Sequence, residues 1–314
     1  MQNPKVFWRR IFAGPFLSPI ANSVASAAVT TPDFIEMNGE KNLYIGGVEA
    51  GKERIIRIRL GEADWTKPAP NLVASASVVL NAGPKDYDCF HVYDPAVIIL
   101  DGMTYLFYSA IGKGPDSIGL AVSSNGKEFQ KRDRPLIIGR SPEVVWHDGN
   151  FFLFYVLRSP SGGYQIHLSL SKDSVSFHDF SVEPVLQVGK AGSWDQFEVT
   201  TPRIFSRGGW YYMIYAGGQT SDRKDMPAAF GLARSMDLIH WEKYPHNPVF
   251  TTGVPGSWDD GALWFGTVFM WDDQLYLLYE GGRLIDIENQ IPALTQVGLA
   301  RLSCTDFDRA QAGC

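Results

Sequence analysis

Hydrophobic positions recur along this chain in short segments, each bounded by turn residues. The plainest are runs dense in aromatics: "MTYLFYSA" from Met103, "NFFLFYVL" from Asn150, "WYYMIYAGG" from Trp210 and "QLYLLYEGG" from Gln274. They are strand-sized and far too short to cross a membrane as helices. A turn precedes each one, "LDG", "HDG", "SRGG" and "WDD". Before the turn lies a mixed strand that carries a Pro in most cases, as in "SWDQFEVTTPRIF" from Ser193 to Phe205. After each aromatic run a third strand follows, "SIGLAVSSNG", "YQIHLSLSKD", "FGLARSMD" and "VGLARLS". A short fourth segment then ends near a Pro, as in "FQKRDRPLI" and "WEKYPHNPVF". Four short antiparallel strands with turns between them form the unit of a propeller blade.

The unit repeats along the chain. "YDCFHVYDPAVI" from Tyr87 and "WDDGALWFGTVF" from Trp258 align with "WDQFEVTTPRIF" without a gap, and "VTTPDFI" and "RSPEVVW" are fainter copies. The reference positions are Pro32, Pro95, Pro142, Pro202 and the Gly266–Thr267 pair, 47 to 64 residues apart. The predicted fold is therefore all-β, a five-bladed propeller in one domain over residues 1–314, with blades beginning near 29, 90, 139, 197 and 261. The segment "FWRRIFAGPFL" matches "HWEKYPHNPVF", Trp8 on Trp241 and Pro15 on Pro248. Residues 5–17 are thus expected to supply the fourth strand of the last blade and close the ring, removing an open edge. Lys5, Arg9 and Arg10 ahead of an apolar stretch imitate a secretion leader, but Pro15 and Pro19 interrupt that stretch.

Composition narrows the function. A net charge of −6 argues against a nucleic-acid partner, and no run suits a membrane. Three cysteines, Cys89, Cys304 and Cys314, without metal-like spacing favour free thiols and a cytoplasmic location. No metal cluster is readable and no cofactor is expected.

In a propeller the Pro-bearing strand is innermost, so a charge placed there faces the central channel. Strand alternation puts the residues before and after the Pro on one face: Thr31 and Asp33, Asp94 and Ala96, Ser141 and Glu143, Thr201 and Arg203. His91 and Glu198 stand four residues before their prolines, at the channel entrance. Polar connections "RSPSGG", "GQTSDRKDMPA" and "GRLIDIENQIPALTQ" are expected to wall a pocket there, with Arg158, Arg223, Lys224 and Arg283. Asp88, Asp195 and Asp259 recur after an aromatic and read as scaffold, as do Trp194 and Trp258 between blades and Asp101, Gly102 and Asp148 in turns. Asp33, Glu143 and Arg203 do not recur, which favours function for them. Carboxylates beside an Arg suit a polyhydroxylated substrate, because glycosidic cleavage needs one protonated and one ionised carboxyl.

The stretches "DPAVIILDGMTYLFYSAIGKGPDSIGLAVSSNGKEF" and "SWDQFEVTTPRIFSRGGWYYMIYAGG" resemble blades of the five-bladed glycoside hydrolases, the arabinanase, xylosidase, levansucrase and invertase group. By blade order the resemblance implies Asp33 as base, Glu143 as the residue tuning the acid and Glu198 as acid. Asp94, Arg203, His91, Tyr93 and Trp264 would then hold a small-molecule or oligosaccharide substrate. The chain departs from that pattern: the third-blade residue is Glu, Glu198 stands four rather than two residues before its Pro, and the first blade reads "TPDF". The stretch "SIGLAVSSNGKEFQKRDRPLI" also resembles the mannoside phosphorylases, whose "EDPR" signature is absent; that likeness implies Arg203 as a phosphate ligand. A sugar-binding propeller without hydrolysis, or one turned to other chemistry, is the third reading.

Overall fold

The computed structural model describes residues 7–61, 65, 67–220, 226–284 and 295–312. A two-residue strand, β1 (Arg9–Arg10), comes first, and five antiparallel sheets follow in chain order. Blade 1 holds β2 (Ala28–Met37), β3 (Glu40–Glu49), β4 (Lys52–Arg59) and β5 (Ser77–Leu80). In blade 2, β6 (His91–Leu100), β7 (Met103–Ile111) and β8 (Ser117–Ser123) carry β9 (Gln130–Lys131) and β10 (Ile137–Ile138), both paired to β8. Blade 3 is β11 (Arg140–His147), β12 (Asn150–Arg158), β13 (Tyr164–Ser171) and β14 (His178–Asp179). Blade 4 has β15 (Glu198–Arg207), β16 (Trp210–Gly218) and β17 (Ala229–Ser235), with β18 (Glu242–Lys243) and β19 (Phe250–Thr251) on its edge. Blade 5 is β20 (Ala262–Trp271), β21 (Gln274–Gly282) and β22 (Gln296–Ser303), completed by β1, with Arg9 opposite Arg301. The molecule is the five-bladed propeller expected from the repeats, its ring closed by the N-terminal strand.

The hydrophobic residues do not form one central core. They form five clusters, each between two neighbouring blades. This explains the unbroken aromatic runs of the second strands, since alternate side chains serve opposite neighbours. Phe152, Phe154 and Val156 pack toward blade 4, while Phe151, Leu153 and Tyr155 pack toward blade 2. The recurrent "GLA" of the third strands has an equally local cause. A Cβ on Gly119, Gly231 or Gly298 would come within 2.2–2.4 Å of the Cζ of Tyr108, Tyr215 or Tyr279, so only glycine lets these rings lie on the sheet.

The recurrent aspartates are scaffold, as the repeats predict. Asp88 accepts from Tyr108 Oη and from Lys131 Nζ, Asp195 from Tyr215 Oη and Lys243 Nζ, Asp259 from Tyr279 Oη and Arg10 Nε. The cation comes each time from the fourth strand. Arg10 therefore does in blade 5 what Lys243 does in blade 4, the position at which the two segments align. Trp194 and Trp258 stack on Tyr215 and Tyr279 in the inter-blade clusters. Asp101, Gly102 and Asp148 occupy left-handed turn positions.

Candidate functional site

Each inner strand starts at one face of the disc, and the connections between second and third strands return to that face; this is the channel mouth. Midway down, the ladder between first and second strands slips by one residue in all five blades. The slip is a β-bulge at the residue before the Pro. Thr31, Asp94, Ser141 and Thr201 all have positive φ there, 40° to 53°. Left-handed backbone is costly for such residues, all the more so ahead of Pro, and is sustained only where the surroundings fix it. Both predicted columns converge on the axis, but at two levels with the bulge between them.

At the deep level the residues after the Pro tie neighbouring blades together. Asp33 Oδ2 accepts from Val97 N at 2.7 Å, and Glu143 Oε1 accepts from Ile204 N at 2.8 Å. In blade 5, Thr267 Oγ1 donates to Pro32 O at 2.5 Å. Arg203, 2% exposed, fills the axis: Nη1 donates to Pro142 O at 2.7 Å, Pro202 O at 3.2 Å and Glu143 Oε2 at 3.3 Å, while Nη2 donates to Pro95 O at 2.8 Å. Its guanidinium also lies 4.8 Å over the Phe265 ring. One side chain thus touches blades 2, 3, 4 and 5. Burial raises the pKa of Asp33 and of Glu143, and the Arg203 charge opposes it in both.

At the mouth the residues before the Pro build a different cluster around Asp94, which is 3% exposed. Asp94 Oδ1 accepts from Thr31 Oγ1 at 3.0 Å; Oδ2 accepts from Ser109 Oγ at 2.8 Å and Ser141 Oγ at 3.2 Å. Glu280, 6% exposed, reaches the same Thr31: its Oε2 accepts from Thr31 N at 2.8 Å and stands 3.4 Å from Thr31 Oγ1. Thr30 Oγ1 donates to Glu53 Oε1 at 2.7 Å, and the Glu53 amide donates to His91 Nδ1 at 3.4 Å. Arg140 lies over Tyr93, 5.4 Å from the ring centre, and donates to Tyr164 Oη at 2.9 Å. Burial is the main cause of raised carboxyl pKa values here: Glu53 goes up to about 7, Glu280 up to about 8, and Asp94 upward against Arg140 and the Ser109 and Thr31 hydroxyls. Carboxyls with pKa near neutrality both give and take protons at physiological pH.

Glu198, 1% exposed, opens β15 at the mouth, packed so closely that a Cβ on Gly218 would meet its Oε1 at 2.8 Å. Trp264 is half-buried at the bulge of blade 5 and accepts from Thr201 Oγ1 through its carbonyl. Tyr93 is 7% exposed, and its buried hydroxyl has no hydrogen-bond partner among the described residues. Arg158 lies 4.4 Å from the Tyr164 ring centre, and Arg283 is exposed at the end of β21. Arg223 and Lys224 lie outside the described residues.

The structure thus brings Asp33, Glu143 and Arg203 together at the deep level and places Asp94, His91, Tyr93, Trp264 and Glu198 at the mouth. It corrects one expectation: Arg203 cannot meet a phosphate at the mouth, because it is buried and its Nη atoms are taken by three carbonyls and Glu143. Glu53, Glu280 and Arg140 join the cluster without having been singled out. Glu280 had a signal. It occupies in "LYEGG" the position of Ser109 in "FYSA" and Ala216 in "IYAGG", a charge in an otherwise uncharged column.

No protein-family model matches the chain, and no curated protein matches it. Solved structures do. A glycosyl hydrolase from Bacteroides ovatus superposes with a TM-score of 0.71 at 16% identity, over 95% of this chain and 93% of that one. The β-1,2-mannobiose phosphorylase from Listeria innocua, solved with β-1,2-mannobiose, gives 0.70 at 12% identity, over 97% and 99%. A thermostable family-43 glycoside hydrolase gives 0.65 at 18%, over 91% and 93%. At these identities the likeness shows the fold. The neighbours are propeller glycoside hydrolases and phosphorylases.

Proposed function

We propose that the protein cleaves a glycosidic bond at the channel mouth, with Asp94 as the ionised carboxylate and Glu198 as the proton donor. The observation that carries this reading is the ring of Asp94, Thr31 and Glu280. Two oxygens of a carboxylate offer about four acceptor sites, and three donors already fix those of Asp94, leaving one for a water or sugar hydroxyl. Burial raises the pKa of Asp94, Glu53 and Glu280 alike, and Arg140 with the hydroxyl donors works against it at Asp94, favouring the charged form there. Acid and base roles need carboxyls held in different protonation states, and the donors around Asp94 work toward that. The base role moves from Asp33 to Asp94 because Asp33 is engaged by the Val97 amide at the deep level. Glu198 keeps the acid role that the blade-order resemblance implies. Trp264 offers a flat apolar wall, and the Tyr93 hydroxyl, without a partner among the described residues, offers polar contacts to a sugar together with Arg140.

The test is sugar release from oligosaccharides and aryl glycosides, with and without phosphate, by wild type, Asp94→Asn and Glu198→Gln. Each variant is expected to stay folded and lose about 10²–10⁴-fold in kcat. A strict phosphate requirement would assign phosphorolysis instead. Release by Asp94→Asn at the wild-type rate would remove Asp94 from the reaction.

A further inference from the structure

On the face opposite the mouth, Arg57, Arg59, Ser75, Ser77 and Lys127 line one depression. Arg57 and Arg59 end β4, and Ser77 opens β5 directly opposite Arg57. Lys127 comes from the turn after β8 in the next blade, where Tyr44 Oη donates to Gly126 O at 2.7 Å and fixes that turn against blade 1.

Arg57 is the unusual member. Its side chain is 3% exposed, yet of its guanidinium donors only Nε makes a hydrogen bond among the described residues, to Asn42 Oδ1 at 2.9 Å. Asn42, fully buried, is held in that orientation because its Nδ2 donates to Glu40 O at 2.9 Å. Among the described residues Glu40 is the carboxylate paired with it, 58% exposed and 3.8 Å from Nη2, beyond hydrogen-bonding range. A buried charge whose outer donors lack acceptors is unfavourable, and a scaffold position would be better filled by an apolar side chain of similar volume. Instead a neutral amide holds Nε, and the residue lines the depression. The other lining cations, Arg59 and Lys127, are exposed, and among the described residues no acidic side chain lines the depression, Glu40 standing at its edge. In a chain of net charge −6 this is a local reversal of sign.

We propose that this depression binds a phosphoryl group, free or as the monoester of a small molecule. The Nη edge of Arg57 gives two parallel N–H bonds to a tetrahedral oxyanion, Arg59 and Lys127 balance its second charge, and the Ser77 hydroxyl donates to a third oxygen. Ser75 Oγ already donates to Leu72 O at 2.8 Å and forms the wall. The site lies across the disc from the sugar-cleaving cluster and does not depend on that assignment.

Backbone amide shifts during titration with inorganic phosphate, at ionic strength held constant with chloride, test it. Saturable shifts are expected at Asn42, Arg57 and Ser77. Arg59→Ser with Lys127→Ser removes two exposed charges without touching the core and is expected to weaken binding about tenfold per charge. Arg57→Gln, checked for an unchanged fold by its amide spectrum, is expected to abolish saturation. Tighter binding of a hexose phosphate than of phosphate at the same residues would identify the ester as the ligand; equal binding would identify the free anion. Shifts confined to the mouth, linear shifts without saturation, or unchanged affinity in the double variant would overturn the proposal.

Discussion

Asp33 and Asp94 are both aspartates on inner strands, both buried, and separated from their prolines by nothing. Asp33 follows Pro32 and Asp94 precedes Pro95. That one difference in order sends them to opposite levels of the channel. After the Pro a side chain meets another blade's backbone, and Asp33, Glu143, Arg203 and Thr267 all bond there to an amide or a carbonyl. Before the Pro the bulge turns the side chain toward hydroxyls and other carboxyls, and Asp94 finds donors that leave an acceptor site open. Burial raises carboxyl pKa values at both levels, but the deep level commits its side chains to fixed main-chain partners, whereas at the mouth Asp94 keeps an acceptor site open. The lesson is that a charge in a propeller channel is assigned by what it meets across the axis.

The comparison breaks most readily at Arg203. Arg203→Met would leave three prolyl carbonyls and Glu143 without their donor in a site closed to water, and is expected to destabilise the fold by about 3–5 kcal/mol. Urea unfolding would measure it. A loss below about 1 kcal/mol would show that the axis is not held by this residue. The double variant Arg203→Met with Glu143→Gln should recover part of the loss, since it removes the stranded carboxylate as well.

The propeller was legible because its repeats keep their spacing and their apolar pattern, and because the Asp, Tyr and cation trio recurs as the same residue types in three blades. Closure was legible for the same reason, Arg10 standing where Lys243 stands. The deep level was not legible, because there a role recurs while the residue changes. Asp33 and Glu143 make the same bond to the next blade, and treating non-recurring charges as functional hid that. The mouth was legible only along the inner strands, which gave Asp94, His91, Tyr93 and Trp264. Glu53 comes from a third strand and Glu280 from a second, brought to the mouth by the curvature of the ring.

A smaller effect sharpens the contrast between levels. Asp33→Asn keeps an oxygen to accept the Val97 amide and loses only the charge facing Arg203. It is expected to cost about 1–2 kcal/mol of stability. Its kcat should stay within about twofold of wild type, where Asp94→Asn loses orders of magnitude. Rates and urea midpoints for the pair decide it. A kcat loss in Asp33→Asn matching that of Asp94→Asn would return the base role to the deep level.

The smallest expected effect is a slope. In blade 2 the second strand caps the next bulge with a hydroxyl, Ser141 N donating to Ser109 Oγ at 2.8 Å; blade 5 does the same for Thr31 with the carboxyl of Glu280. Because a hydroxyl suffices, the carboxyl is there for its proton. Burial raises the Glu280 pKa to about 8, above the value of about 4.3 in an unfolded chain. Between those values the folded protein holds a proton that the unfolded chain has released. Stability from this group is therefore full at acid pH and declines as pH rises, by up to about 1.4 kcal/mol per pH unit, until pH passes about 8. Glu280→Gln retains an oxygen for the Thr31 amide and removes the titration. Glu53, raised to about 7, adds a decline of the same sign that wild type and variant share. The difference between their stability curves from pH 5 to 8 therefore reports Glu280 together with its coupling to Glu53, and parallel curves would mean that Glu280 is ionised in the folded state and caps the bulge as a charge.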